Sequence, residues 1–416
     1  MKLFKNWQSV QLEEIALDEK GAFVNGPFGS DLLTSELVSQ GVPVIYIRDI
    51  REGVYRRVSN VFITPKKAKE LKFCQIEPGD ILVAKVGDPP GVAAVYPKGM
   101  PTGIVTQDVI KIRVNPKLIV PEYLVYFFNS QKGFEARKPI IVETTRARFG
   151  LTQFKEIYIP LPPIAEQKRI AAIAQKCDRL RRTRRYTQQL SDSYLQSVFL
   201  QMFGDPLTNS KGWNLSTIGE LVKVGTGGTP DRNRAEFYGG SIPWVKTGEV
   251  NGNVIYRTEE HLTQEGLKSS NCKLFPIGTI IVAMYGQGLT RGRSAKLGIE
   301  ATTNQACAAI LPNSKLSTDY LWSYLKVSYE NLRDLGRGGN QPNLNLDLVK
   351  SFKVPLPPLP LQEKFAQIVQ RFERLRVQQR EADRQAEHLF QTILHRAFRG
   401  ELESGEALES HFHRYV

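Results

Sequence analysis

The chain has 416 residues, enough for two or three domains, and its 56 lysines and arginines against 42 acidic residues give a formal charge of +14. That balance favours a polyanionic partner, most simply nucleic acid, over a basic protein without one. No apolar run approaches the ~20 residues that span a bilayer, and the N-terminus lacks the apolar core of a signal peptide. Four scattered cysteines without CxxC spacing argue against disulfides and a zinc site. We therefore expect a cytoplasmic protein without membrane association or a bound metal.

Residues 1–159 predict a mixed α/β domain. Runs rich in β-branched residues, such as 44–47 and 81–83, are separated by glycine and proline, which is typical of strands in a buried sheet. A loop rich in glycine and proline at 25–30 precedes them, and a short amphipathic helix is expected from Glu122.

Residues 160–205 predict a first long helix. The run Pro160-Leu161-Pro162-Pro163 ends a strand and leads into a helix, because proline is tolerated only in the first helical turn, and Gly204 ends it. Residues 206–354 then repeat the order of the first domain, including a glycine loop at 225–230. Residues 355–400 predict a second long helix, and 401–416 form a C-terminal tail to which the sequence assigns no role.

The two helical stretches are copies of each other. They align without a gap at an offset of 195 residues, with Gln167 on Gln362 and apolar residues at alternating spacings of three and four. Such a narrow apolar stripe needs a partner, and the other copy supplies it. The residues assigned to helix pairing or to the docking of a partner are Pro162, Pro163, Ile170, Ile173, Leu180, Pro357, Pro358, Phe365, Ile368 and Leu375.

The duplication predicts an overall architecture. Two mixed α/β domains are separated by two long helices packed as an antiparallel coiled coil, and the halves are related by pseudo-twofold symmetry. The helices would hold the domains one to two turns of B-DNA apart, at ~34 Å per turn. Such a molecule could read two half-sites separated by a gap that it does not read.

Basic and amide side chains next to aromatic residues and glycines are the candidates for DNA contact. Arginine and lysine bind phosphates and guanine, and asparagine and glutamine bind adenine. The candidates are Arg48, Arg56, Arg57, Lys85, Arg146, Arg148, Arg232, Arg234, Lys246, Arg291, Arg293, Gln341 and Asn343.

A run of arginines at 181, 182, 184 and 185 lies on the first helix. We interpret it first as a solvated helix face. Contact with the phosphates of a DNA spacer, or with an acidic partner, is the second interpretation.

No motif predicts catalysis. Asp88-Pro89-Pro90-Gly91 lacks the aromatic residue of the Asp-Pro-Pro-aromatic loop of amino-methyltransferases, and a turn is favoured there. The glycines at 225–229 lack the Gly-Lys-Ser/Thr of a P-loop, so a turn is favoured for them too. The chain has no paired-carboxylate nuclease pattern and no nucleophile–base constellation. The sequence therefore predicts a non-enzymatic protein.

Taken together, the twice-occurring proline-led helix after each of two variable α/β halves resembles the specificity (S) subunit of Type I restriction-modification systems. Ile164-Ala165-Glu166-Gln167 fits the repeat of that family, and residues 338–345 resemble the lead-in to it. The second copy departs from the pattern, reading Leu359-Pro360-Leu361-Gln362-Glu363.

The resemblance implies two target-recognition domains that bind double-stranded DNA, one half-site each. It implies that two modification (methyltransferase) subunits dock on the helices and supply S-adenosylmethionine and adenine-N6 methyl transfer. A restriction subunit would add ATP- and magnesium-dependent translocation and cleavage. No cofactor is expected on this chain itself.

Two alternatives stay open from the residues. A free-standing methyltransferase or nuclease would methylate or cut DNA as the purified chain. A coiled-coil DNA-binding regulator would bind its operator as a single species without enzyme partners.

Overall fold

A computed structural model describes residues 7–27, 29–143, 145–286, 289–336 and 343–402. The chain divides into two compact units, Met1–Arg185 with Arg380–Val416, and Tyr186–Gln379. We call them unit 1 and unit 2. Each long helix contributes one part to each unit.

Unit 1 contains short strands linked by short helices and 3₁₀ turns. Its strands are β1 (Gln8–Gln11), β2 (Phe23–Asn25), β3 (Leu37–Val38), β4 (Val42–Ile45), β5 (Ile50–Arg51), β6 (Val54–Tyr55), β7 (Phe62–Ile63), β8 (Gln75–Ile76), β9 (Ile81–Ala84), β10 (Ala93–Val95), β11 (Gly103–Val105), β12 (Val109–Ile112) and β13 (Tyr158–Leu161). Its short helices are α1 (Pro65–Glu70), α2 (Pro121–Phe128), α3 (Gln131–Arg137) and α4 (Leu151–Lys155), and the first long helix is α5 (Ile164–Phe203).

The strands of unit 1 form two main sheets, of order β10-β9-β12-β2 and β3-β7-β4-β11-β8. Strand β9 is buried at every position because both of its faces are covered, which explains its uninterrupted apolar sequence. Strand β1 pairs antiparallel with β13, so the start of the domain is hydrogen-bonded to the segment that leads into α5.

Unit 2 repeats this order with its own elements. Its strands are β14 (Leu215–Thr217), β15 (Val224–Thr226), β16 (Tyr238–Val245), β17 (Val254–Ile255), β18 (Glu260–Leu262), β19 (Ile280–Ala283), β20 (Ser294–Leu297), β21 (Thr302–Thr303), β22 (Cys307–Ile310) and β23 (Lys353–Pro355). Its short helices are α6 (Ile218–Leu221), α7 (Gln264–Lys268), α8 (Thr318–Val327), α9 (Tyr329–Asp334) and α10 (Leu346–Ser351). The second long helix is α11 (Leu359–Ala397), of which the part up to Gln379 belongs to unit 2 and the rest to unit 1.

The sheets of unit 2 have the orders β15-β22-β19-β20-β17 and β18-β16-β21. Strand β14 pairs antiparallel with β23, as β1 does with β13. Strand β16 pairs parallel with β21, as β4 does with β11. The predicted fold class, with two sheet-containing mixed α/β domains and two long helices, is therefore confirmed.

In unit 2 the long helices run in opposite directions, and in unit 1 their other parts are also in contact. In unit 2, Tyr194 stacks on Phe372 at 5.4 Å between ring centroids, and Phe203 meets Phe365 at 5.3 Å. In unit 1, Arg181 pairs with Glu387 at 3.2 Å. Each helix segment also joins the core of its own unit, where Ile170 and Phe365 are buried. Burying one face of each helix in this way explains the apolar stripe of the repeat.

Candidate nucleic-acid interface

In each unit, one glycine brings a loop against the parallel pair of strands. A Cβ on Gly26 would lie 2.0 Å from the Val105 carbonyl oxygen, and one on Gly227 would lie 1.7 Å from that of Thr303. Only glycine permits such an approach. The residues next to these two glycines in their loops therefore lie beside the ends of β11 and β21.

A carboxylate shapes the turn that follows the parallel strand in each unit. In unit 1, buried Asp49 accepts from the backbone N–H groups of Tyr46, Val58 and Ser59 at 2.8–2.9 Å. In unit 2, Glu249 accepts from the N–H of Lys246 at 2.8 Å and from that of Glu259 at 3.0 Å. A turn held by a carboxylate in this way thus carries Arg48 in unit 1 and begins at Lys246 in unit 2.

These elements enclose a polar cleft of about 460 Å³ on unit 2. It is lined by Thr229, Arg232, Trp244, Lys246, Thr247, Gly248, Glu249, Glu259 and Asn304. The lining combines cations, acids, two hydroxyls and an amide around one indole ring. These are the groups that bind phosphates and base edges in protein–DNA complexes.

The cations of the cleft are held in place by rings and by acids. The Arg232 guanidinium lies 4.7 Å from the ring centroids of both Tyr238 and Trp244. It also pairs with Glu260 at 2.6 Å, and the Lys246 ammonium pairs with Glu260 at 3.0 Å. The side chain of Arg232 is still 51% exposed, so it can be reached by a ligand.

The ion pairs shift the ionisation of their members. Hydrogen bonds from Arg232 and Lys246 hold the pKa of the Glu260 carboxyl below its ordinary value. The hydrogen bond with Glu260 raises the pKa of Arg232, and those with Glu259 and Glu260 raise the pKa of Lys246. Because the carboxyl pKa is lowered, the pairs persist at neutral pH and are lost only as pH falls through that lowered value.

Arg234 lies beside this cleft but is not part of its lining. Its guanidinium pairs with Glu236 at 2.7 Å and lies 4.3 Å from the centroid of the Phe237 ring. Its side chain is half exposed.

Three predicted residues of unit 1 lie on either side of the β5–β6 hairpin. Arg48 is exposed, covers the Tyr46 ring at 4.4 Å and donates to Ser59 Oγ at 2.6 Å. Arg57 covers the Phe62 ring at 4.7 Å and donates to the Val61 carbonyl. The side chain of Arg56 is exposed.

Three others meet at a second place on unit 1. Arg148 forms an antiparallel bridge with Val86, which follows Lys85. Gly87 donates its N–H to the Ala147 carbonyl at 3.1 Å. Arg146 and Arg148 are exposed and Lys85 is half-buried, so this backbone contact brings two distant predicted segments together.

The corresponding part of unit 2 is built differently. Leu344 donates its N–H to the Met284 carbonyl at 3.0 Å, and its neighbour Asn343 is exposed. Arg291 is only 7% exposed, so its guanidinium lies within the loop rather than on the surface. Arg293 donates to Asn251 Oδ1 and is half-buried. Gln341 lies outside the described residues.

The proline repeats have the same geometry in both copies. Pro162 and Pro357 are buried, while Pro163 and Pro358 are exposed and accept the first helical hydrogen bonds. Pro163 accepts from the N–H of Gln167 at 3.0 Å, and Pro358 accepts from the N–H of Gln362 at 3.2 Å. The prolines thus begin the long helices at 164 and 359, a few residues later than the predicted spans begin.

The repeated glutamine has a function that the sequence analysis missed. Buried Gln167 accepts from the Val120 N–H at 2.8 Å and donates to the carbonyls of Leu118 and Pro162 at 2.9 and 2.8 Å. Gln362 accepts from the Ser317 N–H at 2.9 Å and donates to the Pro357 carbonyl at 2.8 Å. Each amide joins the start of a long helix to the loop before α2 or α8. The signal for it was its recurrence at the 195-residue offset.

The residues assigned to helix pairing differ in how deeply they are buried. Ile170 and Phe365 are buried, and Ile173 and Ile368 are half-buried against the same cores. Leu180 is half-buried, and Leu375 is 44% exposed.

The arginine run of the first helix is engaged within unit 1. Asp178 binds Arg181 at 2.6 Å and Arg182 at 2.7 Å. Arg182 also donates to the Glu52 carbonyl at 2.9 Å, and Arg185 pairs with Glu52 and Glu387. A fully solvated helix face was therefore the wrong interpretation of these three arginines. They connect the turn between β5 and β6 to both long helices.

Within the described ranges, no cluster of three or more histidine, cysteine, aspartate or glutamate side chains could hold a metal ion. In the same part of the chain, the helices are too short or too polar to cross a bilayer.

Comparison with known proteins identifies the family. Residues 5–190 and 210–386 match the family described as "Type I restriction modification DNA specificity domain". The EcoR124I/EcoR124II specificity subunit of Escherichia coli is 27% identical over 267 residues, which are 61% of this chain and 63% of that protein. The MjaIX specificity subunit of Methanocaldococcus jannaschii is 28% identical over 389 residues, 89% of this chain and 87% of that protein.

A solved structure shares the fold. The crystal structure of the Type I restriction-modification S subunit from M. genitalium aligns with 96% of this chain and 98% of its own, with a TM-score of 0.58 at 16% identity. The family match over residues 5–190 and 210–386 confirms the predicted family, and nothing in the comparisons supports the alternative of a regulator without enzyme partners. Because the match includes both halves, this chain belongs to the Type I restriction-modification DNA specificity family.

Proposed function

We propose that this chain is the specificity subunit of a Type I restriction-modification complex, and that each unit binds one half of a two-part target in double-stranded DNA. The observation that carries the proposal is the repeated strand junction. In both units a glycine loop and a carboxylate-braced turn present basic side chains beside aromatic rings. Family membership supports the role in DNA specificity.

The exposed arginines and lysines would supply the general attraction to DNA. Arg56 and Arg148 are exposed, and their side chains make no ion pair or hydrogen bond with other described residues. They are suited to phosphates, which fix the register of a protein on the duplex. Arg48, Arg57, Lys85, Arg146, Arg232, Arg234, Lys246, Arg293 and Asn343 complete the proposed DNA surface. Gln341 stays a prediction, and buried Arg291 is proposed to support its loop.

The chain is proposed to do no chemistry of its own. Two modification subunits would supply S-adenosylmethionine and methylate adenine N6, and restriction subunits would use ATP and Mg²⁺. The ends of the long helices nearest the proline repeats are the proposed docking region for the modification subunits. Such a complex acts on cellular DNA, so we place it in the cytoplasm.

Reconstitution tests this function. The chain and the modification subunit from the same source are purified separately and together, and plasmid DNA is treated with radiolabelled S-adenosylmethionine. The mixture should methylate adenines within a single two-part sequence, and neither protein alone should do so. Methylation by the chain alone would contradict the proposal, as would a modification subunit that methylates the same sequence without the chain.

A further inference from the structure

Asn304 has an unusual environment in the cleft of unit 2. It follows β21 directly, and its backbone N–H donates to the Val245 carbonyl at 3.2 Å. The side chain lines the cleft that also contains Arg232, Trp244 and Lys246. The backbone of Asn304 is therefore fixed by the sheet at a position where the residue lines the cleft.

The amide oxygen of Asn304 is buried and accepts no hydrogen bond from any described residue. A buried acceptor without a donor costs free energy, and such groups in a folded protein call for an explanation. Rotation about the Cβ–Cγ bond of asparagine is soft. A ligand that supplies a donor in the cleft can therefore draw the oxygen towards itself.

Unit 1 has a different residue in the same backbone setting. Thr106 follows β11, and its N–H donates to the Ile45 carbonyl at 3.0 Å, as that of Asn304 does to Val245. The hydroxyl of Thr106 donates to that same carbonyl at 3.1 Å, so it is satisfied internally. Maintaining the strand junction thus does not require an amide, and the unpartnered amide oxygen at this position belongs to unit 2 and not to unit 1.

The surroundings of Asn304 suit a nucleic acid base edge. Arg232 and Lys246 carry positive charge beside it, which favours the approach of a phosphate backbone. An asparagine amide can accept from the N6 amino group of adenine and donate to N7 at the same time, whereas guanine and thymine present acceptors in place of that amino group. Of the four bases, adenine uses both ends of the amide.

We propose that Asn304 recognises an adenine in the half-site bound by unit 2. This inference rests on the proposed function. It makes Asn304, which was not among the sequence-predicted contacts, a determinant of specificity, with Arg232 and Lys246 holding the adjacent phosphates.

The test uses the complete complex of this chain with its modification subunits. The target is first read from the methylated sites of DNA modified by the unaltered complex. Competition binding then compares the target duplex with duplexes altered at one base pair at a time. The key variant is Asn304→Thr, because unit 1 tolerates threonine in this setting. Asn345→Thr makes the same chemical change at the N-cap of α10, where threonine also caps a helix, and serves as the control.

The unaltered complex should discriminate about five- to 150-fold at one adenine of one half-site, and Asn304→Thr should lose that discrimination while every other position is unchanged. Asn304→Asp keeps the acceptor and loses the donor, so it should shift the preference at that position from adenine to cytosine. Asn345→Thr should leave all positions as they were.

The contradictory outcomes are separable. If the unaltered complex shows no sequence preference, the proposed function fails. If it does discriminate and both Asn304 variants retain the full pattern, or lose affinity equally at all positions, the inference about Asn304 is overturned and the function stands. Relaxation confined to a position that is not adenine would overturn the assignment of the base.

Discussion

Gln167 and Gln362 show how much one side chain can do when its amide is enclosed. Each joins a helix start, a proline carbonyl and a distant loop, so its removal leaves backbone groups buried without partners. Such groups cost about 1–3 kcal/mol each.

We therefore expect Gln167→Ala to lower the free energy of unfolding of the protein by at least about 1–3 kcal/mol. Gln362→Ala should have a smaller effect, because its side chain makes two of these hydrogen bonds where Gln167 makes three. Urea denaturation followed by circular dichroism measures both. Lys168→Ala, at an exposed neighbouring position, is the control and should be neutral. A Gln167→Ala protein as stable as this control would contradict the assigned role.

Glu260 gives a second test at single-residue scale. Its carboxylate pairs with both Arg232 and Lys246, so it competes with DNA phosphates for the two cations. Glu260→Gln should strengthen DNA binding by the complex and weaken its dependence on sequence. Fluorescence anisotropy with target and unrelated duplexes measures both quantities.

Glu330→Gln is the matched control for Glu260→Gln. Glu330 is exposed, so the substitution changes the net charge equally without releasing the two cations. If the two variants gain affinity equally, the effect comes from net charge and the cleft does not contact DNA.

The sequence predicted some of these residues and could not predict others. The basic candidates were visible as residue types, but the partner of Arg232 is 28 positions away, and only the fold brings it there. Asn304 carries no local signal, because its distinctive property is an unpartnered oxygen in a folded cleft. Arg291 was predicted to contact DNA because it lies among glycines, yet it is buried in the structure.

At the scale of elements, the long helices are stabilised by what their apolar faces meet within each unit. Phe365 contacts Phe199 and Phe203 in unit 2 at 5.5 and 5.3 Å between ring centroids and is almost fully buried. Leu375 lies on the same predicted apolar stripe but is 44% exposed. The burial of the stripe therefore differs along a single helix.

Phe365→Ala should destabilise the protein by about 3–5 kcal/mol, the usual cost of removing a buried phenylalanine. Leu375→Ala should cost less than about 1 kcal/mol because little area is lost there. Denaturant titration of the two variants side by side measures the contrast. Equal losses of stability in the two variants would show that Phe365 is not buried more deeply than Leu375.

The periodicity and the prolines predicted both helices, but not where they start. Residues 160–161 belong to β13, which pairs with β1 from Gln8↔Leu161 to Gln11↔Tyr158. The two strands are about 150 residues apart in sequence, and such pairing has no local signature. The helix consequently begins at Ile164 rather than at 160.

At the scale of the whole molecule, the positive charge predicts how DNA binding depends on salt. Each phosphate neutralised by the protein releases counterions, so affinity falls linearly on a log–log plot against salt concentration. Arg56→Ala should lower affinity about equally for all sequences and make the slope of that plot shallower by about one. Binding titrations of the complex at several salt concentrations measure this slope.

The control for this experiment is Arg384→Ala on α11. It removes the same charge, but Arg384 is already paired with Glu381 at 2.8 Å within the helix. The slope should stay unchanged for this variant. An unchanged slope for Arg56→Ala would remove Arg56 from the DNA surface.

The duplicated organisation was visible in the sequence because both halves and both helices recur in order. The composition of the compact units was not, since each unit takes a part of both long helices. Contacts such as Arg181 with Glu387 join residues about 200 positions apart. The spacing of apolar residues within one repeat cannot predict such contacts.

The central claim is that this chain sets a two-part DNA target, with one part assigned to each unit. Methylome sequencing tests it most directly, in the native host with the gene deleted, restored, or restored as the Arg232→Ala, Lys246→Ala double variant. Deletion should abolish one two-part methylated motif. The double variant should reduce the sequence preference in one part of the motif, while the other part and the gap length remain. A methylome unchanged by the deletion, or a variant that loses sequence preference in both parts together, would contradict the claim.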